Sequence, residues 1–60
     1  MNAVEIHEVA QQFYRAHGDK SEYEAAQKAQ TLKAKGKHEE ADDWQRVQKA
    51  ISQLRGANYS

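Results

Sequence analysis

Leu32-Lys33-Ala34-Lys35-Gly36-Lys37-His38-Glu39-Glu40-Ala41-Asp42-Asp43 decides the fold. Bases run up to a glycine, and acids follow it almost at once. Cationic side chains suit the carbonyl end of a helix and anionic ones suit the amide end. Glycine just past a helix end adopts the left-handed backbone that caps the last carbonyls without a Cβ clash. The segment therefore reads as one helix stopping and another starting. So short a link makes the two an antiparallel hairpin.

Downstream, the pattern predicts a helix over 38–55. Trp44, Val47, Ile51 and Leu54 form its narrow apolar stripe, widened by Ala41 and Ala50. Asp42 and Arg46 stand at the i,i+4 spacing of an ion pair. Gly56 reads as the stop, with 57–60 a frayed tail. Upstream, a helix is predicted over 22–35, with Ser21 and Glu24 as its capping box and Asp19 with Glu22 as a competing register. Glu24 and Lys28 are a second i,i+4 pair. The inward face is Ala25, Ala26, Ala29 and Leu32. Such small residues allow close axes, which makes this the expected central helix. Tyr23 and Ala34 fall to one side.

A first helix is predicted over 3–17, opened by Asn2 and Glu5 at capping-box spacing and closed by Gly18. Ile6, Val9, Ala10, Phe13 and Ala16 share a face, with Tyr14 at its edge and Val4 pointing away. His17 falls in the last turn near that face, where it suits the helix dipole while its ring packs inward, partly buried; the functional reading is a pH-sensitive switch or ligand. There is no proline to break any of these helices. The fold class expected is all-α, one domain over 1–60, a small three-helix bundle.

The core is thin. The large apolar side chains are few, and a domain this size rarely gains more than about 3–5 kcal/mol from its core. With no cysteine, no disulfide can supplement it. That leaves a marginal monomer or a chain that gains stability by association. Trp44, the largest apolar side chain, is expected at the centre of the core against Phe13 and Leu32, with an exposed binding anchor as the other reading.

Chemistry finds little footing. Nucleophilic catalysis lacks a cysteine, and neither Ser52 nor Ser60 has a base beside it. The glycines are spaced as helix stops, unlike a phosphate-binding loop. His38 and Asp42 share a helix face, but a metal site needs a third ligand from elsewhere. The expectation is no enzyme, no cofactor and no metal. Equal numbers of acidic and basic residues, 9 of each, weigh against a dedicated nucleic-acid binder. No apolar run reaches membrane-spanning length, and no signal-peptide layout is present, so the chain is expected to be cytoplasmic.

The landmarks His17-Gly18, Ala26 with Ala29, Leu32 to Gly36, and then Ala41, Trp44, Ala50-Ile51 and Leu54 resemble a group of short, uncharacterised bacterial three-helix proteins. The likeness spans roughly 9–54 and implies the fold alone, with no activity. Gly36 to Ala41 is also similar to the turn of a single tetratricopeptide-type hairpin, although Trp44, Val47 and Ile51 are offset from that repeat. The function expected is a protein-interaction module that modulates or assembles a larger protein partner, singly or as a homodimer. Its candidate contacts are the alanine face of the second helix with Tyr23, the Tyr14 edge of the first helix, and Lys33, Lys35 and Lys37. The alternative is a small nucleic-acid-associated regulator, using those lysines with Lys28 and Arg15 along phosphates.

Overall fold

The computed structural model describes residues 1–56 and is all helical over them, apart from the chain start and the Lys35–Lys37 link. Helix α1 spans Ala3–His17, α2 spans Ser21–Ala34 and α3 spans His38–Gly56, with a 3-10 turn at Gly18–Lys20 between the first two. The antiparallel hairpin forms as the sequence expects. Gly36 takes φ 81°, and the Lys37 amide donates back to the Leu32 carbonyl at 2.9 Å. At the far end Arg55 Nη1 reaches Glu22 Oε1 at 2.7 Å, joining the close of α3 to the opening of α2. α3 runs to Gly56, one residue beyond the expected bound of 55. The expected fraying of 57–60 lies outside the described residues.

The start of α1 follows its capping box. Asn2 Oδ1 accepts the Glu5 amide at 2.8 Å, and Glu5 Oε1 accepts the Asn2 amide at 3.1 Å. The junction to α2 differs from expectation. Gly18 does leave the helical path, with φ 64° and ψ −134°, but the chain resumes turning immediately. α1, the 3-10 turn and α2 form one bent helical path, and α3 packs against both arms.

No capping box opens α2. Ser21 is already helical at φ −60° and ψ −42°, so its side chain points back along the chain. Its hydroxyl donates to the Gly18 carbonyl at 2.7 Å, and the residue is fully buried. Lys20 stands where a cap would, and its side chain makes no cap hydrogen bond.

The bend changes which helix is central. α1 touches α2 only lightly, while both pack on α3. The Met1 amine meets Asp43 at 3.2 Å, and Phe13 meets the neighbouring Trp44. Met1 and Phe13 are twelve residues apart, about 18 Å at the helical rise, yet they meet adjacent residues of α3. α1 therefore crosses α3 rather than lying along it. The central element is α3, and the expectation for α2 is corrected.

Ile6 and Ala10 of α1, Ala25 of α2, and Val47 and Ile51 of α3 make the core, with Val9, Phe13, Tyr14, Trp44, Ala50 and Leu54 packed around it. Ala29 and Ala41 are buried as well. Trp44 does not occupy the centre; Ile51 and Val47 do. The centre is lined by Ala10 and Ala25 and filled by Val47 and Ile51, and the indole packs against it at the rim, half-buried. Ala16, expected inward, is exposed, and so is Val4, which the helical period turns away from the core.

Candidate interaction surface

Five side chains gather beside the bend. Gly18 turns α2 away from the axis of α1, and this brings His17 against Glu24 one turn into the next helix. His17 Nδ1 lies 2.7 Å from Glu24 Oε1. The imidazole stacks on Phe13 at 4.3 Å between centroids, with the planes tilted by 38°. Phe13 meets Trp44 edge to face at 5.4 Å, a favourable arrangement of ring quadrupoles. Lys28 closes the row, its ammonium 5.3 Å from the Trp44 ring centroid. The i,i+4 pair expected between Glu24 and Lys28 does not form, since each side chain has another partner. Asp42 and Arg46 do pair, at 3.2 Å. The His17 side chain has a partner, as expected, and is 39% exposed, so its ring is partly covered and partly accessible.

Phe13, His17, Glu24, Gln27, Lys28 and Thr31 line an open hollow of about 390 Å³ on this side. It is amphipathic, with aromatic rings for a floor and one base and one acid on the walls.

The expected contact residues are distributed unevenly. Tyr14 is half-buried against the core and presents only an edge. Lys33, Lys35 and Lys37 are all exposed around the end of α2 and the link. The ion pairs among the described residues engage the N-terminal amine, His17, Arg46 and Arg55, and none of these lysines. The alanine face of α2 is no contact surface, because Ala25 and Ala29 are buried within the domain. Tyr23 lies on the opposite side of the helix and is 66% exposed.

That opposite side has a composition the sequence reading overlooked. Tyr23, Gln27, Gln30 and Ala34 follow at i, i+4, i+7 and i+11, the spacing of one helix face. All four are exposed and none is charged. Gln27 Nε2 donates to Tyr23 Oη at 3.0 Å, which holds the phenol along the helix. On a chain with 30% charged residues, an uncharged stripe running the length of a helix is a distinct surface. The same residue numbers were available from the sequence, but the stripe stands out only once the inward face is known.

Comparison with protein-family models, curated proteins and solved structures finds no match. Among the described residues, no helix is long and apolar enough to cross a membrane.

Proposed function

We propose that this chain is a non-enzymatic protein-interaction module of a bacterial cytoplasm, a small helical domain that modulates or assembles a larger protein partner. The observation that carries this reading is the outer face of α2. Tyr23 stands on it as a large, ordered, amphipathic side chain, with Gln27 restraining its ring. Tyrosine offers much contact area for little conformational entropy, and restraint before binding lowers the cost further. The uncharged stripe around it avoids the desolvation penalty that buried charges would bring. A thin core supports the same reading, since association adds the stability that so small a domain lacks.

Affinity capture from the host, with mass spectrometry of what is retained, tests it. A discrete protein that is retained by the native chain and lost with Tyr23→Ala is the expected result. A highly stable monomer that retains nothing argues against it.

The exposed, unpaired Lys33, Lys35 and Lys37 favour a second reading, contact with nucleic-acid phosphates. Such contacts release counterions, so binding would weaken steeply with salt. Charge reversal at Lys33 and Lys35 that leaves DNA and RNA retention unchanged removes this option.

A further inference from the structure

We propose that the Tyr23–Gln27–Gln30–Ala34 stripe of α2 docks a second copy of this chain, antiparallel, about a two-fold axis crossing the helix between Lys28 and Ala29. The inference rests on the interaction-module reading and names one partner for it.

A two-fold interface must be self-complementary, because each residue meets the image of the same patch. The stripe satisfies that condition. An antiparallel copy places Tyr23 over Ala34 of the second copy, large against small. It also places Gln27 level with Gln30 of the second copy, two side chains that both donate and accept hydrogen bonds.

The flanks agree. Glu22 and Glu24 stand at one end of α2, Lys33 and Lys35 at the other. Eleven residues are close to three whole turns, so Glu22 shares a flank with Lys33 and Glu24 shares the other with Lys35. The two-fold axis exchanges the ends of the helix and keeps each flank on its own side. Glu22 then faces Lys33 of the second copy, and Glu24 faces Lys35 of the second copy. Each pair is offset by two residues, about 3 Å of rise, which long side chains span. A parallel copy would set acids against acids and lysines against lysines. Charge therefore selects the antiparallel pairing, as flanking charges do along a coiled-coil seam. Glu22 and Glu24 also hold Arg55 and His17 within their own chain, and each carboxylate has lone pairs for a second donor.

The seam is one helix of 14 residues, about 21 Å long. A seam of one short helix is a small contact beside that of a permanent dimer, so the association is weak, with a dissociation constant on the order of 0.1 mM.

Sedimentation equilibrium from about 10 µM to about 1 mM is the primary measurement. The expected result is a reversible shift from monomer toward dimer. Two double variants, Gln27→Arg/Gln30→Arg and Gln27→Glu/Gln30→Glu, alter only exposed positions, and circular dichroism checks that both stay helical. Each alone should remain monomeric at about 1 mM, and an equimolar mixture should recover association, because opposite charges then face each other across the axis. Lys33→Glu/Lys35→Glu should weaken the native dimer several-fold. A native chain that stays monomeric at about 1 mM overturns the proposal. So does a dimer that both stripe variants leave intact, or a mixture that fails to associate. If the chain is monomeric yet still retains a foreign protein through Tyr23, the two-fold pairing fails while the module reading stands.

Discussion

The Ser21 hydroxyl donates to the Gly18 carbonyl across 2.7 Å, with both groups tucked beneath the bend between α1 and α2. A hydroxyl that donates backward from a fully buried position does a different job from a cap, which accepts forward from an exposed one. Substitution separates the two roles. Aspartate is among the best capping residues, but an ionised carboxylate cannot donate. Ser21→Ala should cost about 1–2 kcal/mol for the lost bond. Ser21→Asp should be clearly worse, because it adds a buried charge facing a carbonyl oxygen. Urea midpoints of the two variants give the order, and equal or better stability for aspartate would restore the capping role.

Gly18 combines φ 64° with ψ −134°, a backbone state essentially limited to glycine. A Cβ built there meets nothing within 4 Å, so the penalty for Gly18→Ala is conformational rather than steric. It should amount to about 1–3 kcal/mol. Thermal unfolding followed at 222 nm reads the loss. A neutral result would mean that the bend forms without a positive φ at residue 18.

Ile51 is the largest fully buried side chain, and its truncation leaves a cavity where all three helices meet. Ile51→Ala should cost about 2–5 kcal/mol. Against a total of about 3–5 kcal/mol, this unfolds a large share of the molecules at room temperature. Trp44 stands at the rim, so Trp44→Phe should leave the helical signal nearly intact. Acrylamide should also quench the native indole fluorescence measurably, as a side chain at the centre would not allow.

Arg55 and Glu22 close the far end of the hairpin at 2.7 Å, with both side chains in contact with solvent. Exposed pairs gain little net energy and are screened by salt. Arg55→Ala should lower stability by less than about 1 kcal/mol, with the difference shrinking in high salt. A larger, salt-independent loss would assign Arg55 a packing role through its aliphatic stem.

Asn2 exchanges both bonds of a capping box with Glu5. Asn2→Ala should cost about 1 kcal/mol and increase amide exchange in the first turn of α1. Unchanged exchange over Ala3 to Glu5 would show that the crossing of α1 over α3 alone holds this end.

The amino-acid sequence by itself determined the local structure of this chain. Apolar spacing at the helical period, Gly36 between bases and acids, and the Asn2–Glu5 box each act within a turn or two, so their consequences can be read in order along the chain. The candidate contacts were partly legible for the same reason: Tyr23 and the lysines fall off the apolar faces. Tertiary structure alone decided the rest. Two sets of apolar spacings can meet in several ways, and whether Gly18 makes a full stop or a bend depends on what the arms pack against. The bend put α3 at the centre, turned Ser21 inward and brought His17 to Glu24. Trp44 packs at the rim because the middle, lined by Ala10 and Ala25, is already filled by Val47 and Ile51. With the alanine face of α2 spent on that core, the uncharged side carrying Tyr23 is left exposed.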